Sequence, residues 1–363
     1  MNKFAFIILI SVVMSVSYAQ EPIVIGESIA LNSTILKEVR NIQIQLPANY
    51  NNEDFAKGSY PVIYVLDGNF NFAYIAALER FNTKHLYRSQ PEMSVVGINN
   101  TDRTRDFTPT HDVVDRRGVP AFETSGGADN FMKSIEAELQ PFIDANYRTN
   151  GYNILSGHSF GGLFAIYSML KNEKLFQGYI AIHPSLWWDD KLVYRMAKEN
   201  WATKNFEGIS LFVALAYEDS KDASTRLEHS NTIRAFCEKI LTAYPKNKLN
   251  GNWKFYPDYD HGSIPIAATL DGIKFLFDGL RLEVKKVPYQ PELVKQAYNA
   301  LSDKMRFNFI PDESLLKGLI SFTVSMKKIE NAAKLLNDAL YWYPTSNQLK
   351  SMQLELYENQ PNE

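Results

Sequence analysis

A single cysteine among 363 residues, Cys237, leaves no intramolecular disulfide to form, even in an oxidising compartment. Ile233, Phe236 and Ile240 recur around it at helical spacing, which predicts a buried structural thiol; nothing nearby would hold a thiolate. Charge of either sign is not in excess. With 38 Lys and Arg against 41 Asp and Glu the net charge is −3, which excludes the basic footprint that nucleic-acid binding requires. Long apolar runs are missing after residue 19, so no later segment is expected to span a membrane. The chain is nevertheless 45% hydrophobic and only 22% charged, too apolar for a disordered protein and long enough to bury a large core.

What is there begins at the amino terminus. Asn2 and Lys3 precede the apolar run Phe4 to Val16, and Ser17-Tyr18-Ala19 offers the small residues a signal peptidase reads. Residues 1–19 are therefore read as a cleaved signal peptide, which implies a secreted or periplasmic protein, with an uncleaved anchor as the alternative that the shortness of the run disfavours. The residue directly after Ala19 is Gln20 and not a cysteine, so no lipid anchor is expected, and Gln20 becomes the new terminus.

Ile42-Gln43-Ile44-Gln45-Leu46 alternates as a half-exposed strand does, whereas Tyr60 to Leu66 is continuously apolar, as a strand buried on both faces is. Similar runs recur at Ser94 to Ile98, Tyr152 to Ser156, Gly178 to His183, Ile209 to Ala216 and Trp253 to Tyr256. Helical patterns separate them at Tyr74 to Phe81, Asp129 to Asn146, Gly162 to Lys171 and Ser224 to Tyr244. Alternation of this kind predicts an α/β fold, a mostly parallel sheet flanked by helices, with its site beyond the carboxyl ends of the strands. Asn99 to Gly127 is polar and punctuated by Pro and Gly, and reads as a surface excursion. From Pro288 three helical segments follow, near Glu292 to Ser302, Glu313 to Ser325 and Ile329 to Tyr343. The last two resemble one tetratricopeptide-type hairpin, with a plain helical cap as the alternative. The division expected is a leader at 1–19, a catalytic domain at 20–287 and a small all-helical extension at 288–363.

Gly157-His158-Ser159-Phe160-Gly161-Gly162 lies directly between an apolar strand and a helical run. A G-x-S-x-G elbow needs this setting, because the serine sits at a sharp, strained turn and the glycines remove side chains that would collide. A serine hydroxyl is a weak nucleophile alone and requires a histidine base oriented by an acid. His261 follows the last strand, where such a base belongs, and is preferred to His183; His158 is assigned to elbow support, and His85, His111 and His229 to solvated positions. The acid should follow Ile209 to Ala216. Glu218 is chosen, with Asp219, Asp222 and Glu228 as alternatives. For the oxyanion, the N–H of Phe160 and a donor from the turn Asp67-Gly68-Asn69, through Asn69, are expected. Gly68, Phe70, His158, Trp187 and Trp188 are candidate walls of a substrate pocket, and Arg103 and Arg105 candidate receivers of an anionic group.

These residues resemble a known family of serine esterases related to siderophore (enterobactin-type) esterases, S-formylglutathione hydrolase and feruloyl esterases. The resemblance rests on Leu46-Pro47-Ala48-Asn49-Tyr50, Tyr60 to Gly68, Asn99 to Pro109, Glu138 to Ile143, the elbow, Pro184-Ser185-Leu186-Trp187-Trp188 and His261-Gly262-Ser263. It spans about residues 30 to 280. It implies a lidless α/β-hydrolase acting on a small-molecule ester with no metal or organic cofactor, Ser159 as nucleophile and His261 as base. The acid transfers less directly, since relatives use a glutamate or a serine–histidine pair alone. His183 departs from the serine more usual there. A helical tail like residues 288 to 363 also resembles tails of some bacterial members, where it would cap the domain or meet a protein partner. Two functions follow: ester hydrolysis through an acyl-enzyme, on a siderophore-type, aryl or sugar ester, and, as the alternative, an idle hydrolase fold serving as a binding module through its tail.

Overall fold

The computed structural model describes residues 21–115, 118–218 and 223–358. The leader, Asp219 and Asp222 lie outside them. Eight strands form one sheet in the order β1-β2-β4-β3-β5-β6-β7-β8. β1 (Glu27–Ser33) and β2 (Glu38–Gln45) are antiparallel, and β2 meets β4 (Ser94–Ile98) antiparallel as well. From there on, β3 (Tyr60–Val65), β5 (Thr149–His158), β6 (Gly178–Ile182), β7 (Ser210–Ala216) and β8 (Asn250–Tyr256) run parallel. The sheet is thus the mostly parallel one expected. Its order reverses between β4-β3 and β5-β6, and ligands of open α/β sheets bind beyond the strand ends at such a reversal.

Both faces are covered because the central strands are apolar on both. On one side Tyr64, Leu155, Tyr179 and Val213 pack against α5 (Phe160–Lys171), α6 (Trp188–Asn200) and α7 (Ala223–Phe236). The long helical run before β5 is two helices, α3 (Ala128–Ser134) and α4 (Gln140–Asn146), joined by a π-helical turn at Ile135–Leu139. Cys237 lies in a second such turn, fully buried, and burial pushes its thiol well above the usual range.

On the other face lie α1 (Gly68–Thr83), α8 (Pro265–Leu276) and the carboxyl-terminal helices α9 (Glu292–Met305), α10 (Glu313–Ser325), α11 (Ile329–Trp342) and α12 (Asn347–Glu358). Tyr298, Leu301, Leu316 and Leu319 belong to the same buried cluster as Ile154, Ile180 and Leu276. The rings of Phe307 and Phe309 stand 5.2 and 5.0 Å from Tyr152, near the start of β5. Arg88 donates to Asp312 at 3.0 Å, and Glu313 accepts the Ala56 N–H at 2.7 Å. These contacts fall toward the amino ends of the strands, where Tyr60, Tyr152 and Ser210 lie. The tail braces the end of the sheet remote from the elbow.

Helices α6 and α8 escaped the periodicity. α6 buries only Trp188, Val193 and Ala197, and its start is broken by three left-handed residues, Asp189, Asp190 and Lys191. The excursion after β4 is less superficial than its composition suggests. It opens with the short helix α2 (Arg103–Phe107), in which Asp106 and Phe107 are each 1% exposed.

Because the tail shares the core of the sheet, Leu316→Ala, at a position with no exposure, is expected to lower the stability of the whole protein by about 2–5 kcal/mol. Thermal unfolding followed by circular dichroism and by residual activity should show one coincident transition. Two transitions, with activity lost only in the unshifted one, would show the tail to be an independent unit.

Candidate active site

Ser159 stands between β5 and α5 with φ 61 and ψ −116, a conformation costly for any residue with a side chain. Two backbone hydrogen bonds hold it there: its N–H donates to the Ile182 carbonyl at 2.9 Å, and its carbonyl accepts the Ser185 N–H at 3.0 Å. Gly157 is required by close approach, since a β-carbon there would lie 2.4 Å from the Gly161 carbonyl group. Phe160 is the first residue of α5, so its N–H is one of the helix's unpaired first-turn donors.

The turn after β3 lies against this elbow. Asp67 takes a left-handed conformation (φ 55) at the start of α1, and a β-carbon on Gly161 would come 3.5 Å from Asp67 Oδ2. Gly68 is buried, with room for no side chain: a β-carbon would sit 2.8 Å from the backbone of Gly97 and Ile98. Asn69 and Phe70 are exposed, Phe70 to 76%.

The two arginines expected to receive an anion are committed elsewhere. Arg103 donates to Asp67 Oδ1 at 2.7 Å and Oδ2 at 3.2 Å, and to the His158 carbonyl at 3.1 Å, so it rivets the turn to the elbow. Arg105 is bound to Glu38 and Asp106. Trp188 is likewise no free wall: it is fully buried, and its indole N–H donates to Thr110 at 3.1 Å. Trp187 is partly exposed and packs with Phe160 and Phe122.

Four histidines gather at the strand ends. The His261 ring lies 4.5 Å from that of His158, 5.0 Å from His183 and 6.1 Å from His229. His158 is therefore more than elbow support, because its ring packs on the candidate base. His261 is carried by a tight turn in which Asp260 Oδ1 accepts the N–H groups of Gly262 at 3.0 Å and Ser263 at 2.8 Å. Burial drives the His261 pKa down to about 3, reinforced by positive charge on His158, His183 and His229 and opposed by Glu218. His158 is lowered to about 4, by burial first and then by His183.

Glu218 is at the end of β7 as expected, but its hydrogen bonds go to other partners. Oε1 accepts from His183 Nε2 at 3.2 Å and His229 Nδ1 at 3.0 Å, and Oε2 accepts from Ser230 at 2.9 Å. These bonds outweigh partial burial and hold its carboxyl well below the usual range. Glu228, its alternative, is exposed and paired with Lys191. His229, expected to be solvated, is 2% exposed. The signal was present in its spacing, for His229, Ile233, Phe236 and Ile240 share one helical face and all are buried. Its second nitrogen, Nε2, faces the Pro184 carbonyl at 3.1 Å. Both ring nitrogens thus meet oxygens, one of the Glu218 carboxylate and one of a backbone carbonyl.

His183, Glu218 and His229 bring ligand atoms within 4.8 Å of one another, the dimensions of a metal site. The tautomer argues against one. His183 Nδ1 accepts the Ala216 N–H at 2.8 Å, so the ring's proton sits on Nε2 and points at Glu218. A cation bound at Nε2 would require an imidazolate.

The sequence pattern of the Esterase family, described as "Putative esterase", matches residues 33–225. The chain belongs to that family of carboxylic-ester hydrolases. An IroE-like serine hydrolase from Shewanella oneidensis is similar in structure, with a TM-score of 0.79 and 32% identity over 87% of this chain and 99% of that one. The siderophore enterobactin esterase of Emericella nidulans is 27% identical over 274 residues, 65% of this chain and 88% of that protein. The ferri-bacillibactin esterase of Bacillus subtilis is 30% identical over 174 residues, 43% of this chain and 58% of that relative's length.

Arg103→Lys is expected to lower kcat about tenfold on neutral and anionic esters alike, because lysine cannot bridge Asp67 and the elbow carbonyl together. A KM rise confined to anionic esters would instead make Arg103 a substrate ligand. His229→Ala leaves the Glu218 carboxylate with His183 and Ser230 as its remaining partners and should cost about 1–3 kcal/mol in urea unfolding at neutral pH.

Proposed function

We propose that the protein is a secreted or periplasmic serine esterase that hydrolyses a carboxylic ester through an acyl-enzyme. The observation that carries this reading is the strained Ser159 at the strand-order reversal, with the His261 ring, supplied about a hundred residues later, 4.5 Å from that of His158, the residue before the serine. His261 removes the Ser159 proton, and Oγ adds to the ester carbonyl. The Phe160 N–H and the Asn69 N–H, from two adjacent helix starts, receive the oxyanion. The alcohol leaves with the proton held on His261; water then repeats the sequence and frees the acid.

Glu218 serves at one remove in this scheme. It holds His183 and His229, whose rings pack on or near the base, and its charge favours the imidazolium formed on His261. The names of the relatives favour a siderophore-type ester as substrate. Phe70, Trp187 and Phe122 around the elbow suit an aryl acyl group, whereas the engagement of both arginines removes the argument for an anionic one. No helix among the described residues is long and apolar enough to cross a membrane, which suits release after the leader is cut.

A fluorophosphonate probe should label the wild type and not Ser159→Ala, whereas folded wild-type protein that stays unlabelled would identify an idle binding module. The depressed pKa of His261 sets the pH dependence. The base is unprotonated above its folded pKa, so kcat/KM on a neutral ester should stay level from about pH 8 to pH 5 and fall only near the low value of about 3. An acid limb centred near pH 6.5 would overturn that assignment. The same shift links to stability. Between the unfolded histidine pKa of about 6.5 and the folded one, the unfolded chain binds the extra proton, so stability declines as pH falls through that window.

A further inference from the structure

Ser185 follows β6 and is 2% exposed; its hydroxyl lies 3.3 Å from Ser159 Oγ. Among the described residues this is the one side-chain partner recorded for that hydroxyl. The backbone is gripped as well. The Ser185 N–H donates to the Ser159 carbonyl at 3.0 Å, the Ser185 carbonyl accepts the Trp188 N–H at 3.1 Å, and the preceding Pro184 carbonyl accepts from His229 at 3.1 Å. Ser185 is therefore fixed from both sides and presents its hydroxyl to the nucleophile.

A hydroxyl has one proton to give. When the Ser159 proton points at His261, as general-base attack requires, the hydrogen between the two serine oxygens can only be that of Ser185. We infer that Ser185 is a second catalytic hydroxyl, donating a hydrogen bond to Ser159 Oγ through the cycle without surrendering its proton. The inference rests on Ser159 being the nucleophile and adds a group that reading does not contain.

Its effect differs between the two halves of the reaction. In acylation Ser159 Oγ gives its proton to His261 and bonds to the carbonyl carbon. There the donated hydrogen bond stabilises the charge developing on Oγ but also makes the oxygen less nucleophilic, and the two effects oppose. In deacylation water gives a proton to His261 and its oxygen bonds to the acyl carbon. The carbon–Oγ bond then breaks, and the electron pair returns to Ser159 Oγ, which takes the proton back from His261. Oγ is here a leaving group, and a donor aimed at it only helps. Loss of Ser185 should slow deacylation more than acylation.

The test is Ser185→Ala, assayed on a nitrophenyl ester by stopped flow and in the steady state. With deacylation limiting, kcat should fall about tenfold. KM should fall with it, leaving kcat/KM, which reports acylation, within about threefold of wild type. Ser185→Thr, which keeps the hydroxyl, should recover most of kcat. Unchanged kcat, or equal losses in kcat and kcat/KM, would overturn the inference. Should the alanine variant fail to fold, Ser185→Cys, of similar volume and a weak donor, is read in the same way. Fluorophosphonate labelling of the wild type that persists in Ser159→Ala would refute the parent reading instead, whatever Ser185 does.

Discussion

The backbone of Ser159 is held in a conformation it would not choose. A non-glycine residue at φ 61 and ψ −116 costs about 1–3 kcal/mol, and such a residue persists only where its surroundings over-determine it. Here they do so from both sides of one neighbouring segment, with Ile182 receiving the Ser159 N–H and the Ser185 N–H reaching the Ser159 carbonyl. β6 and its exit are thus the clamp on the elbow serine. Gly157, Gly161 and the Asp67 turn then fit closely around a bend already fixed, and Arg103 ties that turn to the elbow carbonyl.

The second organising feature is electrostatic. A partly buried carboxylate with only one neutral partner would be costly, and Glu218 avoids this by accepting from two imidazoles and a hydroxyl. Burial, reinforced by the surrounding rings, keeps the His261 pKa low. Two carboxylates are thus at work around these rings: Glu218 orders His183 and His229, and the Asp260 turn places His261, the candidate base.

Much of this was legible in the residues. Continuous apolar runs reveal strands buried on both faces, and the G-x-S-x-G setting exposes the elbow, because both are local patterns with local causes. The tail helices were legible too, but where they dock was not, since that depends on Tyr298 and Leu316 meeting a face assembled from distant strands. The same limit governs the site. Arg103 and Arg105 look like free cations in sequence, and only the fold brings Asp67, Glu38 and Asp106 to them. His229 was passed over although its helical face is apolar, because a histidine on a helix is usually solvated. α6 stayed hidden because three left-handed residues interrupt its start and few of its side chains are buried.

The position of the tail also bears on how the protein selects what it binds. Helices α9 to α12 are welded to the end of the sheet remote from the elbow, and swinging any of them across Ser159 would tear open a shared core. A closing movement over the elbow cannot come from these helices, and Phe70, exposed, and Trp187, packed on Phe160, stand in relief without them. The tail therefore leaves the approach to Ser159 open on its own account, whatever the size of what arrives there.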